Sequence, residues 1–221
     1  VETGAHGTSF GLEVRGQGER KVLSPLYGAF NIENVIAALA TVHSLGVSLD
    51  EGIDAIPGFG GVKRRQEVRG EAHGVRVIDD FAHHPTAVRE TLRGVRGQYP
   101  ESRLWAVFEP RTQTSRRRLF ESEFAKALRI ADVVLIAPVH SPDHLKPDEV
   151  LSPIRVAGEA GRDGCEAHAM NSSEEIIEFV ATHSRSGDRV VVMSNGGFDD
   201  IHRRLLARLR SKSSSDVGRT L

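Results

Sequence analysis

The chain is 221 residues long, 39% hydrophobic and 27% charged, enough to bury a substantial core and to form two small domains. Twenty-nine Lys and Arg against thirty Asp and Glu leave a net charge of -1, so no global basic field argues for nucleic acid or an anionic membrane surface. No apolar run approaches the roughly 18 to 20 residues that span a bilayer, and no secretion signal opens the chain. The one cysteine, Cys165, excludes an internal disulfide framework, reads as a small strand residue and fits a reducing compartment, with the cytoplasm as default. The chain starts at Val1 and enters a strand-like stretch at once, so it reads as part of something longer.

In chain order, Thr8 to Val14 alternates apolar and polar residues, and Lys21-Val22-Leu23 follows a turn at Gly16 to Gly18, predicting a hairpin. From Asn31 the apolar residues Ile32, Val35, Ile36, Leu39 and Val42 recur at helical spacing, with Asn31 placed as N-cap and Gly46 past the end. A short helix over Leu49 to Ile56 precedes Pro57-Gly58-Phe59-Gly60-Gly61, which reads as a domain hinge. Beyond it come strands over Gln66 to Glu71 and Val75 to Asp79, a helix from Thr86 to Tyr99, a strand at Leu104 to Phe108 and a helix from Leu119 to Ile130. Then follow a strand at Val133 to Ala137, helices at Pro153 to Ala160 and Ser173 to His183, a strand at Arg189 to Met193 and a helix from Phe198 to Leu209. Apolar β-branched runs separated by helices predict an α/β fold with a doubly wound, mainly parallel sheet. The expected domains are therefore 1–60 and 61–210, followed by a disordered Ser-rich tail over 211–221.

Ligands of open parallel sheets gather at the carboxyl ends of the strands, which selects four loops: Asp79 to Pro85, Glu109-Pro110-Arg111, Pro138 to Lys146 and Ser194 to Gly197. Asp79 and Asp80 end a strand; either could serve a helix N-terminus or accept the two hydrogen bonds of a ribose diol, and spacing does not choose. His83 and His84 suit a polar substrate contact or a base better than a metal, since adjacent rings rarely reach one ion. His140 and His144 are four apart, but Pro142 lies between them, so they read as loop residues. Arg64, Arg65 and Arg111 offer forks for phosphate or carboxylate, whereas the run Arg116-Arg117-Arg118 reads as a solvated face. Asn195-Gly196-Gly197 can turn backbone N–H groups toward an anion or form a plain tight turn. No GxxxxGK[ST] loop occurs, so this chain by itself is not expected to hydrolyse ATP.

Taken together, Gly28-Ala29-Phe30-Asn31-Ile32-Glu33-Asn34, Gly61-Val62-Lys63-Arg64-Arg65, Asp79-Asp80-Phe81-Ala82-His83-His84-Pro85-Thr86, Phe108-Glu109-Pro110-Arg111 and Met193-Ser194-Asn195-Gly196-Gly197-Phe198 resemble, in family order, the C-terminal half of a Mur ligase. The last two segments resemble tripeptide-adding members more than alanine-adding ones. The resemblance implies that residues to about Gly60 end a central ATPase domain and that the remainder is the mobile C-terminal domain. It implies an ATP- and magnesium-dependent, cytoplasmic ligase of peptidoglycan recycling, inactive as this piece alone, with most metal ligands upstream of Val1. Its partners would be UDP-N-acetylmuramate and the murein tripeptide L-Ala-γ-D-Glu-meso-diaminopimelate, joined through an acyl phosphate. By position, Asn31 with Asn34, Arg65 and Asp80 would bind ATP. His83 and Arg111 would stand at the reaction centre, and His84, Asn195 and Gly196 would meet the peptide. Phe30 departs from the histidine common before that asparagine. An alanine-adding relative, a non-catalytic nucleotide- or peptide-binding module, and a dinucleotide-dependent oxidoreductase are the competing readings. The last lacks a GxGxxG after the first strand of the α/β domain.

Overall fold

The computed structural model describes residues 1–4, 7–142 and 145–211, with only the backbone at 163. His144 and the tail over 212–221 lie outside the described residues, while Ser211 closes the last helix. The chain divides into two compact units, Val1–Val62 with Arg93–Pro100, and Lys63–Leu92 with the chain from Glu101.

In the first unit, strands β1 (Glu2–Gly4), β2 (Gly7–Val14) and β3 (Gly18–Ser24) form an antiparallel sheet in that order. Helix α1 (Ala29–Ser44) and α2 (Leu49–Ala55) follow, then a short 3-10 turn, Ile56–Gly58. Phe10 and Val22 of the hairpin pack with Val35 and Leu39 of α1, joined by Ile32, Ile53 and Ile56. Ser48 caps α2 in a reciprocal box with Glu51. The expected N-cap at Asn31 is wrong: Gly28 takes that position, with φ 94, and Asn31 sits inside the first turn. Its Nδ2 donates to the Tyr27 carbonyl at 2.8 Å, and its Oδ1 accepts from Asn34 at 3.5 Å. The side-chain oxygen therefore does not cap the helix.

The second unit holds a six-stranded sheet with strands β4 (Glu67–Ala72), β5 (Val75–Asp80), β6 (Leu104–Phe108), β7 (Val133–Ile136), β8 (Glu166–Ala169) and β9 (Arg189–Met193), in the order β4-β5-β9-β6-β7-β8. Only β4 is antiparallel, turned by His73 and Gly74, both at positive φ, as a two-residue hairpin requires. The other five strands are parallel. The strand β8 was not expected: Glu166, Ala167, His168 and Ala169 form a half-exposed edge without an apolar run. Cys165 immediately precedes it.

Helices α3 (Pro85–Gln98), α4 (Glu121–Leu128), α5 (Pro153–Ala160), α6 (Ser173–His183) and α7 (Ile201–Ser211) connect and close the sheet. One sheet face, with Val77, Val190, Val192, Trp105, Val107 and Leu135, packs on Ile176 and Val180 of α6 and on Ile201 and Leu205 of α7. On the other face Phe108 stacks at 4.8 Å against Phe124 of α4. Burial on both faces is why these strands read as continuous apolar runs. The second unit is thus an α/β fold with a doubly wound, mostly parallel sheet.

Candidate functional site

Parallel register brings the carboxyl ends of β5, β9 and β6 together: Asp80 pairs with Met193, and Met193 with Phe108. The loops that leave these ends carry most of the expected site residues of this unit. Asn31 and Asn34 belong to the other unit.

Successive residues of a strand face opposite sides, so Asp79 and Asp80 enter different environments. Asp79 turns to the α7 face, where its Oδ1 lies 3.3 Å from His202 Nε2 and its Oδ2 3.4 Å from Arg64 Nε. Burial pushes its carboxyl up, but the adjacent His202 ring and the charges of Arg64 and Arg69 outweigh this and hold it below its ordinary value. Asp80 turns to the α3 face and is 1% exposed. Its Oδ1 accepts from Ala82 N at 2.8 Å and Thr91 Oγ1 at 3.1 Å, and its Oδ2 accepts from Gln66 N at 2.9 Å. Burial raises its carboxyl above the ordinary value, although these three hydrogen bonds and the Arg65 charge pull the other way. The carboxylate is therefore turned into the protein and braces the segment that carries Arg65. Only its Oδ2 retains unused acceptor capacity.

Arg64 and Arg65 separate in the same way. Arg64, at φ 59, donates through Nη2 to the carbonyls of Ser194 and Gly196, at 2.5 and 2.9 Å, tying its segment to the loop after β9. Arg65 is exposed, with its guanidinium 6.0 Å from the Phe81 ring centroid. His83 is half-buried, its Nδ1 2.9 Å from the Phe81 carbonyl and its ring edge-on to Phe81. A proton on Nδ1 satisfies that carbonyl and leaves Nε2 as an acceptor. His84 precedes α3: its carbonyl accepts from Val88 N, its Nδ1 accepts from Thr86 N at 3.4 Å, and its ring packs on Phe120.

At the end of β6, Arg111 Nη1 is 3.4 Å from both Glu109 Oε1 and His140 Nδ1. Glu109, 6% exposed, accepts through its other oxygen from Ser194 Oγ, and Ser194 Oγ accepts from Gly196 N at 2.9 Å. Gly196 thus directs its N–H inward instead of presenting it to an anion, which corrects the expectation for this residue. Asn195 keeps a buried Oδ1 without a hydrogen-bond partner. Arg116 is buried and donates to the carbonyls of His140 and Ser141, so the first of the three consecutive arginines is a strut and only Arg117 and Arg118 are exposed.

Sequence reasoning left Glu109, Ser194 and His202 out of the site. Glu109 and Ser194 lay in the selected loops, but nothing local told that one buried hydroxyl would link them. His202 had no signal beyond a histidine on a helix. Among the described residues no group of three or more His, Cys, Asp or Glu side chains could hold a metal ion.

Residues 64–196 match the Mur ligase, glutamate ligase domain, and the chain belongs to the Mur ligase family. It is 36% identical over 192 residues to the UDP-N-acetylmuramate--L-alanyl-gamma-D-glutamyl-meso-2,6-diaminoheptandioate ligase of Escherichia coli (strain K12), covering 86% of this chain and 40% of the relative. It is 34% identical over 181 residues to the UDP-N-acetylmuramate--L-alanine ligase of Agathobacter rectalis, covering 82% and 39%. A solved murein peptide ligase from Psychrobacter arcticus superposes with a TM-score of 0.65 at 32% identity, over 87% of this chain and 39% of that one. The chain thus spans about 40% of the length of the curated relatives it matches.

Proposed function

We propose that the chain is the C-terminal part of an ATP-dependent ligase that joins UDP-N-acetylmuramate to the tripeptide L-Ala-γ-D-Glu-meso-diaminopimelate, working in the cytoplasm in peptidoglycan recycling. The observation that carries this reading is Arg111, a partly exposed guanidinium at the carboxyl end of β6 whose Nη1 lies 3.4 Å from Glu109 and from His140, placed to receive a carboxylate. Kinship with a relative named for that tripeptide supports it.

In the reaction, the muramate carboxylate takes the γ-phosphoryl group of ATP, giving an acyl phosphate and ADP. The peptide amine attacks the acyl carbon, a tetrahedral intermediate forms, the amine loses a proton, and phosphate leaves as the amide bond closes. Such transfers depend on positioning and electrostatic stabilisation more than on covalent work by the protein. Exposed Arg65 meets the nucleotide phosphates. Asp80, buried and turned into the protein, holds the Arg65 segment through Gln66 N rather than meeting the nucleotide itself. His83 Nε2 stands as acceptor for the proton released by the amine. Arg111 and Asn195 bind carboxylate and amide groups of the peptide, and exposed His84, just before α3, contacts the peptide as well. The magnesium that such ligases use would neutralise phosphate charge; the described residues offer no cluster for it, so no step is assigned to it.

The similar identity to an alanine ligase supports alanine addition as the second reading. Calorimetric titration of the full-length protein, with UDP-N-acetylmuramate and a non-hydrolysable ATP analogue present, separates them. The expected result is saturable binding of the tripeptide and none of free alanine. Tight binding of alanine alone overturns the tripeptide assignment, and binding of neither overturns the ligase reading.

A further inference from the structure

We propose that Gly196 is a positioning residue for the substrate carboxylate, acting by leaving vacant the space in which Arg111 lies. A Cβ built on Gly196 would stand 2.1 Å from Arg111 Nε and 2.4 Å from its Cδ and Cζ, so the guanidinium rests directly on the glycine backbone. No other heavy atom within reach of that Cβ comes as close, and Gly196 does not have the positive φ that would by itself demand glycine. Backbone conformation therefore does not require glycine here; the seat of Arg111 does.

The seat is built from both sides. Gly196 N donates to Ser194 Oγ, Ser194 Oγ donates to buried Glu109, and Glu109 faces Arg111 Nη1. Arg64 holds the same loop by the carbonyls of Ser194 and Gly196. One buried carboxylate thus aligns the loop and the guanidinium together, and His140 borders Nη1 on the open side. A planar fork held in this way keeps its remaining N–H donors aimed in one direction before substrate arrives, which suits a carboxylate and lowers the ordering cost of binding it. A methyl group at position 196 meets the end of a flexible side chain, so the arginine swings away while the loop stays folded.

This inference rests on the ligase reading, and the test separates the two. Steady-state kinetics are measured in the full-length enzyme for wild type, Gly196→Ala, Arg111→Ala and the double variant. Each single variant is expected to raise the peptide KM roughly ten- to a hundredfold, the range of a lost charged hydrogen bond, with the KM for ATP unchanged. The double variant is expected to be no worse than Arg111→Ala alone, and Gly196→Ala to shift the melting temperature by no more than about 2 °C. If Gly196→Ala leaves the peptide KM at the wild-type value, or adds its full effect on top of Arg111→Ala, the positioning role is wrong while the ligase reading stands. If Arg111→Ala itself leaves the peptide KM unchanged, the assignment of Arg111 to the peptide fails and the role of Gly196 fails with it.

Discussion

Asp79 and Asp80 are adjacent in the chain and belong to opposite faces of one sheet, so their carboxyls are displaced in opposite directions, Asp79 down and Asp80 up. For Asp79 the stabilising contribution is present above its unfolded-state value, about 3.9, and is lost as pH falls through the lower folded value. Asp79→Asn is therefore expected to cost about 1–3 kcal/mol at neutral pH, in urea titrations followed by the fluorescence of Trp105. That deficit is expected to close as the pH is lowered through the carboxylate range; a deficit constant down to pH 3 would show that the pairing with His202 and Arg64 is not its source. For Asp80 the sign reverses: the contribution is present below the ordinary carboxyl value and fades as pH rises through the raised one. Spacing left open which of the two acids serves which role, because the partner that meets Asp79 is His202, more than a hundred residues away. The same limit hid the seat of Arg111, since Gly196 and Ser194 come from another strand end.

At the scale of elements, the buried strands and the capped helices were the readable parts. Arg189–Met193 and Pro153–Ala160 match their expected bounds because continuous apolar runs and a Ser-Pro start are local signals. Edge strand β8 was missed because an edge needs no apolar run, and α1 begins earlier than expected because glycine at positive φ replaced the anticipated side-chain cap. Helices α6 and α7 are laced by Glu174 to Arg204 and Glu178 to Arg208. The hydrogen bond from Arg204 holds the Glu174 carboxyl at about 2. An NMR titration of its side-chain carbon should have its midpoint near that value, moving to the ordinary glutamate range in Arg204→Ala. A wild-type midpoint already in the ordinary range would show that the pair does not persist in solution. The pair's contribution is present above the ordinary glutamate value and lost as pH falls through about 2.

At the scale of the whole molecule, two units each have their own core: the Phe10, Val22, Val35 and Leu39 cluster in one, and the sheet with α6 and α7 in the other. A piece covering residues 63–211 is therefore expected to fold by itself, with a single cooperative urea transition and the emission of a buried Trp105, which is 0% exposed. A gradual transition with water-exposed emission would show that its sheet needs the rest of the chain. The amino-acid sequence by itself determined the hairpin, the alternation of strands and helices, the parallel sheet and the family motifs, because hydrophobic period, turn residues and caps act over a few residues. Tertiary structure alone decided that Asp80 faces inward, that Arg64 is a tie while Arg65 is open, and that Gly196 makes room for Arg111. Those outcomes depend on side chains from separate strand ends meeting in space, and no local pattern encodes which of them will touch.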